Sequence, residues 1–334
     1  MSTAQVSQTV VRDEIFTRHD YNVLRPGYKD NAYKKRVLLD LLRGHKVPYT
    51  GGKYMSMGVQ LGSDPQGDTF TKGDRGTLAD VSNETDAIYT PTYVREPRVL
   101  YMTDEVESGG NMERQLTLQQ SKTDDAMERI ADFILNQITL TSKVNSRDFN
   151  TLIEAISDGA TGAFGTLDPA NTGQSNWANQ DSGNFDFSAS ARAKLRKLHN
   201  DCSQNGKFHH DVILLPQTYH EEWLEIADGV VSLNTDAHKL STGHMTSNIA
   251  VDNAIFYNRP IIWDAKWSTN QTSSGLMLDL RGVQLACHPQ WEFKPSRWLS
   301  AEVDGIAARV SWLYLVGQLV MDSRRTQGFI GTLS

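Results

Sequence analysis

The feature that most constrains this chain is a long amphipathic helix, predicted over residues 111–140. Apolar side chains recur there at intervals of three and four, as on one face of a helix: Met127, Ile130, Ala131, Ile134, Leu135 and Ile138. The opposite face is charged, and Asp125 and Arg129, one turn apart, are expected to pair. About 30 residues at 1.5 Å each would give a rod of about 45 Å. A single apolar face is not a coiled coil, so we expect a strut that supports a sheet.

Composition indicates an ordered, soluble protein. The chain has 334 residues, enough for two subdomains, and 39% of them are hydrophobic. Its net charge is −7; the first 47 residues hold nine Lys/Arg and five Asp/Glu, hence +4, which leaves −11 for the rest. The overall charge therefore does not indicate nucleic-acid binding. The two cysteines, Cys202 and Cys287, are expected to be buried and reduced, and neither a signal peptide nor a membrane span is expected.

The first 47 residues are predicted to form an extended, basic arm that ends in a short helix. The apolar positions of this helix are Val37, Leu38, Leu41 and Leu42, and Gly44 ends it. Four basic residues accompany it: Lys34, Lys35, Arg36 and Arg43. They fit either the solvated side of the helix or an arm that contacts an acidic neighbour or a polyanion.

Residues 48–103 are predicted to form a long β-hairpin. One strand covers Tyr54 to Leu61, and the other covers residues 87–103, where Pro91 and Pro97 favour an edge strand or a bulge. The loop between them, residues 62–86, is rich in Gly, Asp, Ser and Asn and is unusually long for a compact domain. Because a lone two-stranded hairpin is barely stable in water, we expect it to rest on something outside its own domain, such as a neighbouring subunit.

The remaining chain predicts an α/β-type subdomain followed by long strands. Helical spacing occurs at Phe149–Ile156, at Ala191–Cys202 with Ser188 as N-cap, and at residues 217–227. The apolar run Val212–Leu215 predicts a strand that is buried on both faces. Further strands are predicted at Ala254–Tyr257, Ile261–Trp263, Gly275–Leu280, Val283–His288 and Val303–Met321.

The sequence offers no positive argument for catalysis or for a cofactor or metal. It has no HExxH, paired CxxC, EF-hand, GxSxG, P-loop or GxGxxG pattern. His209 and His210 are adjacent and would point to opposite faces of an extended segment, so they are not expected to chelate together. The carboxylate pairs Asp124-Asp125 and Glu221-Glu222 lie on predicted helices, where neighbours diverge by about 100°, so solvated helix faces are expected.

The order of elements, with several local stretches, resembles the major capsid protein of tailed double-stranded DNA bacteriophages. The stretches are Asp211 to Pro216 followed by Tyr219 and Trp223, Asn258 to Ile262, Trp177 to Gln180, and Val310 to Met321 followed by Arg324-Arg325. In the second stretch Asn258 replaces the family's Gly, which is tolerable because Asn also adopts positive φ. The resemblance implies an α+β fold with an N-arm (residues 1–47), an extended β-hairpin loop (48–103), a peripheral domain with a spine helix (104–148) and return strands (289–334), and an axial domain (149–288).

The resemblance also implies a structural function and no enzymatic activity. Such a protein self-assembles as hexamers and pentamers into an icosahedral head around the phage genome, within the host cytoplasm. Because only about 30 residues precede the first predicted helix, a separate scaffolding protein is implied, with a portal protein and a possible decoration protein. Contact with packaged DNA would be non-specific, since a strongly gripping shell would impede packaging and ejection.

Ten residues are expected to contact neighbouring subunits: Lys34, Lys35, Arg36, Lys53, Tyr54, Lys72, Asp74, Arg75, Arg95 and Arg98. Lys53 and Lys72 also lie where some relatives form a Lys–Asn cross-link, but no partner-site pattern is recognised and simple surface lysines are favoured. Two alternatives remain: an encapsulin-like compartment, which assembles from the chain alone around a cargo enzyme, and a soluble α+β enzyme without a recognisable motif.

Overall fold

The structure, a computed structural model, describes residues 36–61, 69, 71–72, 84–107, 112–157, 159, 162–203, 210–228, 254–300, 307–331 and 333. The chain forms two compact units. The larger contains Arg36–Glu96, Glu128–Lys294 and Tyr314–Ser334, and the described part of the smaller lies within Pro97–Met127 and Pro295–Leu313. Helices and strands are mixed along the chain, which confirms the predicted α+β class.

The helices are α1 (Val37–Gly44), α2 (Met102–Glu107), α3 (Met112–Thr139), α4 (Leu152–Ala155), α5 (Phe187–Ser203), α6 (Gln217–Asp228) and α7 (Ala265–Asn270), with a 3₁₀ turn at Ser175–Trp177. The strands are β1 (Lys46–Pro48), β2 (Met55–Gln60), β3 (Glu84–Tyr89), β4 (Thr92–Tyr101), β5 (Gln180–Asp181), β6 (Val212–Leu215), β7 (Ile255–Phe256), β8 (Arg259–Trp263), β9 (Gly275–Leu278), β10 (Val283–Cys287), β11 (Lys294–Pro295), β12 (Leu299–Ser300), β13 (Ala308–Met321) and β14 (Gly328–Ile330).

The predicted strut helix is confirmed as α3, whose 28 residues would span about 42 Å. Ile130, Ile134 and Ile138 are buried as the spacing predicted, but Met127 is 37% exposed and Ala126 is buried in its place. The apolar stripe therefore begins one residue earlier than predicted. Arg129 forms its ion pair with Glu96 on β4 instead of with Asp125 as expected: its Nε lies 2.8 Å from Glu96 Oε1.

A six-stranded mixed sheet organises the second half of the larger unit, in the order β5-β14-β9-β6-β8-β7. Strand β6 pairs parallel with β8 and antiparallel with β9, and all four of its residues are buried, as predicted. Side chains of α5 and α6 join the sheet in one apolar core around Phe187, Leu195 and Trp223. The α/β-type subdomain is thus present.

Two local features of this subdomain follow from short-range chemistry. A two-residue turn joins β7 to β8, and its central residues Tyr257 and Asn258 have φ of 48° and 65°. The positive φ expected at Asn258 is confirmed. The expected N-cap of α5 is wrong, because Oδ1 of Asp186 accepts hydrogen bonds from Ala189 N and Ser188 Oγ.

The other strands of the larger unit form a second sheet region and a hairpin. Strand β1 pairs parallel with β10, and β10 pairs antiparallel with β13 from Val283↔Met321 to Cys287↔Gly317. Strands β2 and β3 pair antiparallel, in register from Met55↔Tyr89 to Gln60↔Glu84. The prediction of a second hairpin arm at residues 87–103 is wrong in its bounds, because β3 begins at Glu84 and most of that stretch is β4, which pairs with β13. Pro91 separates β3 from β4, whereas Pro97 lies within β4.

In the smaller unit, β12 pairs antiparallel with the beginning of β13 at Leu299↔Val310 and Ser300↔Arg309. The backbone N–H of Met102 donates to the carbonyl of Ala307 over 2.9 Å. The long C-terminal strand, expected from Val303, begins at Ala308, and residues 301–306 lie outside the described part of the chain.

Candidate assembly interface

The basic group that precedes α1 is partly engaged within its own chain. Arg36 Nε lies 2.8 Å from Asp132 Oδ1, and its Nη2 donates to the carbonyl of Glu128 over 3.2 Å. The guanidinium of Arg43 lies 5.5 Å from the ring centroid of Phe293. Arg36 therefore anchors the start of α1 on the strut helix, while Lys34 and Lys35 lie outside the described residues.

The base of the β2–β3 hairpin contacts its own unit through one face. Tyr89 Oη donates to the carbonyl of Met321 over 2.8 Å, and its ring centroid lies 5.3 Å from that of Phe164. The backbone N–H of Ile88 donates to the carbonyl of Gly165 over 2.8 Å. The hairpin is expected to rest on something outside its own domain, with a neighbouring subunit as the candidate. Its base rests instead on residues of its own chain outside 48–103, through the side chains that the alternating pattern buries.

Near the hairpin base, two short segments expose residues that suit contact with another protein. Tyr54 is 51% exposed, and Lys53 Nζ lies 5.1 Å from its ring centroid. On β4, Tyr93 is 72% exposed, and Arg95 shares its face two residues further on. Tyrosine and arginine are enriched at protein interfaces. We refer to Lys53, Tyr54, Tyr93 and Arg95 together as the tyrosine patch.

Lys72 is exposed, whereas Asp74 and Arg75 lie outside the described residues. Arg98 is buried, so the expectation that it contacts a neighbour conflicts with its position. Its Nη1 donates to Thr123 Oγ1 over 2.7 Å, its Nη2 donates to Ser311 Oγ, and the guanidinium carbon lies 5.1 Å from the ring centroid of Trp298. Burial lowers the pKa of Arg98. The alternation of side chains along β4 indicates this burial, because Arg98 lies on the same strand face as the buried Leu100 and not on the face of Arg95.

Arg324 is fully buried and connects a segment near the end of the chain to α4 and the loop after it. The sequence predicts it only as part of a closing motif. Arg324 donates from Nε to the carbonyl of Ala155 over 2.5 Å and from Nη1 to the carbonyl of Gly162 over 2.6 Å. Its Nη2 also lies 3.2 Å from Ser157 Oγ and 3.3 Å from Asn179 Oδ1. Burial lowers the pKa of Arg324 to about 10, so it stays cationic at neutral pH.

The presence of Trp177 and Asn179 in the stretch Trp177–Gln180 has a structural explanation. Trp177 is buried, and its Nε1 donates to the carbonyl of Phe164 over 2.9 Å. Asn179 is also buried; its Oδ1 accepts from Ser157 N, and its Nδ2 donates to the carbonyls of Ser157 and Gln180. These hydrogen bonds hold the loop after α4 in place.

The described residues contain no cluster of three or more His, Cys, Asp or Glu positioned to hold a metal ion. His199 and His210 approach with their Nδ1 atoms 3.1 Å apart, as a hydrogen-bonded pair in which one ring donates and the other accepts. Cys202 and Cys287 are free and buried, as expected, and burial raises their pKa to about 12 and about 11. Within the described chain, no helix has the length and apolar character needed to cross a bilayer.

Comparison with known proteins gives matches in structure only. No family model and no curated protein sequence matches the chain. A chain of the Cyanophage A-1(L) capsid asymmetric unit is similar with a TM-score of 0.62 at 15% identity, over 92% of this chain and 95% of that one. A chain from Mycobacterium phage Bobi gives 0.55 at 10% identity, over 94% and 96%.

A chain of the satellite phage P4 procapsid, in a structure that includes the size determination (Sid) protein, gives a TM-score of 0.50 at 8% identity, over 96% of this chain and 98% of that one. The three likenesses extend over nearly the whole of each chain compared, so they concern the complete arrangement of elements and not one subdomain. The chain shares the fold of these phage capsid and procapsid chains.

Proposed function

We propose that this protein is a major capsid protein, which assembles as hexamers and pentamers into the icosahedral head that encloses a phage double-stranded DNA genome. The observation that supports this most directly is the likeness to a chain of a phage capsid over 92% of this chain and 95% of the other. In this function the protein is structural, and its activity is to bind copies of itself.

We propose four parts for the shell protein. Residues 1–47 are the N-terminal arm, 48–103 the extended loop, 104–148 and 289–334 the peripheral domain, and 149–288 the axial domain. The candidate contacts on the loop are the tyrosine patch and the exposed Lys72, with Lys34, Lys35, Asp74 and Arg75 in addition. Support for the patch comes from exposed tyrosines beside two cations, a composition that suits a protein interface.

The proposed partners outside the shell protein are a separate scaffolding protein and a portal protein, with a decoration protein and non-specific contact to packaged DNA in the mature particle. Assembly would take place in the host cytoplasm. The −7 charge of the chain is consistent with a shell that does not grip DNA strongly, because affinity for DNA rises with the number of phosphates neutralised.

The test is to express the full chain alone and together with a candidate scaffolding protein from the same phage, and to examine both preparations by light scattering and negative-stain microscopy. Closed shells built of hexamers and pentamers, formed with the scaffolding protein, are the expected result. Cages that form from the chain alone around a cargo enzyme would favour the encapsulin-like alternative. A monomer or small oligomer under every condition would contradict the proposal.

A further inference from the structure

Two neighbouring helices of the larger unit carry opposite charge. Helix α5 has four Lys/Arg and one Asp, a net charge of +3, and α6 has four Asp/Glu and no Lys/Arg, a net charge of −4. The two helices pack on the same core, in which the rings of Phe187 on α5 and Trp223 on α6 lie 6.5 Å apart. One subdomain thus presents a basic and an acidic helix next to each other.

The charges lie on the sides of the helices that face away from the core. On α5, Leu195 and Leu198 are buried, while Arg196 and Lys197 between them are exposed. On α6, Trp223 is buried, while Glu221 and Glu225 are exposed one turn apart. We call Arg196 and Lys197 the basic face and Glu221 and Glu225 the acidic face.

The charges of α5 and α6 do not neutralise each other within the described part of the chain. No ion pair among the described residues joins α5 to α6. Where the helices do meet, Arg192 Nη2 donates to the backbone carbonyl of Ile226 over 2.5 Å instead of to a carboxylate. Glu221 accepts only a neutral hydrogen bond, from Gln217 Nε2 over 3.0 Å.

The acidic side also carries unrelieved repulsion. Burial first, and then the charges of Asp186 and Glu225, raise the pKa of Glu222. A cationic partner brought to α6 would relieve this repulsion. The chain offers a cationic surface of the right kind on α5, and no ion pair among the described residues brings the two faces together within one copy.

We propose that the basic face of α5 in one copy binds the acidic face of α6 in the next copy, so that identical head-to-tail contacts close a ring of subunits. A contact between two different faces of the same chain is heterologous, and such contacts form a ring when the rotation between copies closes. This inference rests on the proposed shell function, and it specifies which residues set the order of copies within a capsomer. Exposed ion pairs contribute little energy each, so their main effect is to orient the copies and exclude wrong arrangements.

The experiment uses charge reversal and its compensation in the full chain. One variant carries R196E and K197E, a second carries E221K and E225K, and a third carries all four changes. Each reversal places like charges opposite each other, and we expect the yield of shells at low salt to fall at least about tenfold, whereas the fourfold variant recovers to within about threefold of the unaltered chain. A matched control, K143E and R147E, makes an equal charge change on a loop after α3 and is expected to assemble normally.

A second pair of variants covers the case in which a reversal prevents folding. R196Q/K197Q and E221Q/E225Q only neutralise the faces, and we expect their assembly to lose most of its dependence on salt between about 50 and 500 mM while circular dichroism stays unchanged. Normal, salt-sensitive assembly of the neutralised variants, or failure of the fourfold variant to recover although folded, would overturn the inference. Neither outcome affects the proposed shell function, which fails if the unaltered chain forms no shells or forms cargo-filled cages on its own.

Discussion

Arg324 Nη2 lies 3.3 Å from Oδ1 of Asn179, which is 145 positions away in the sequence. Both side chains are buried, and the other groups that accept hydrogen bonds from Arg324 are two backbone carbonyls and the hydroxyl of Ser157. All of these acceptors are neutral oxygens. Hydrogen bonds to neutral groups therefore stabilise the buried positive charge of Arg324, in place of a direct ion pair. Through these hydrogen bonds Arg324 connects a segment near the end of the chain to the loop after α4, which we call its bracing role.

Replacing Arg324 with Met should destabilise the unassembled chain by about 2–5 kcal/mol, because the buried carbonyl of Ala155 and the partly buried carbonyl of Gly162 lose their donor. The measurement is unfolding in guanidinium chloride, followed by circular dichroism. Arg325→Met serves as the control, since Arg325 Nη1 makes an exposed hydrogen bond to Asn176 Oδ1, and it should change the free energy of unfolding by less than about 1 kcal/mol. Equal effects of the two substitutions would contradict the bracing role.

Gly165 is predicted to be irreplaceable by Ala. Its φ is +63°, and a Cβ there would lie 2.7 Å from Cζ of Tyr89, whose ring is itself fixed by the hydrogen bond to Met321. Strained backbone and steric overlap together should cost about 2–4 kcal/mol. Gly173→Ala is the matched control, because φ is +82° there but no atom lies within 4 Å, so only the backbone cost of about 1–2 kcal/mol remains.

If Gly165→Ala proved no more harmful than Gly173→Ala in the same thermal melt, the tight packing of Tyr89, in the hairpin base, against Gly165 would be wrong. The comparison needs no assembled particles, because both glycines and Tyr89 belong to the larger unit.

Features that depend on regular local spacing could be predicted from the sequence. The stepwise apolar pattern of α3, the uniform apolar run of β6 and the positive φ of Asn258 each involve a period or a preference set within a few residues. Errors of one residue followed from the same source: on a helix, a shift from Met127 to Ala126 rotates the direction of the side chain by about 100°.

Features that depend on distant contacts could not be predicted in this way. The partners of Arg324 lie 145 to 169 positions away, so nothing near Arg324-Arg325 indicates that one arginine is buried and the other is not. The support of the hairpin base by Gly165 and Met321 is likewise non-local. Charge and position in the chain alone predict the candidate contacts, so the set contains Arg98 although its strand face is buried.

Two carboxylates should give opposite dependences of stability on pH. Burial, and then repulsion from Asp279, raise the pKa of Asp322, so the folded chain holds this proton more tightly than the unfolded chain. The stability that it contributes is present below the ordinary Asp pKa of about 3.9 and is lost as the pH rises through the raised value. Asp322→Asn should therefore be more stabilising, or less destabilising, at pH 7 than at pH 4.

Asp186 is the counterpart, because hydrogen bonds from Ser188 and Ala189 lower its pKa. Its contribution is present above about pH 3.9 and is lost as the pH falls through the lowered value, so Asp186→Asn should harm the chain more at pH 7 than at pH 3. Chemical unfolding of both variants across this range measures the two slopes. Slopes of the same sign would show that the environments of the two carboxylates are not as described.

The tyrosine patch predicts a substitution that separates folding from assembly. Tyr54 is 51% exposed and contacts Lys53 through its ring, so Tyr54→Ala should change the free energy of unfolding of the unassembled chain by less than about 1 kcal/mol. If the patch binds a neighbouring copy, the same change should reduce shell yield about tenfold or more, because a buried interface tyrosine commonly contributes about 2 kcal/mol. Tyr101→Ala, at a tyrosine that is 45% exposed outside the patch, is the control for loss of an exposed ring. Yield is measured by sedimentation of assembled particles. A full yield of shells from Tyr54→Ala would show that Tyr54 does not contribute to the interface.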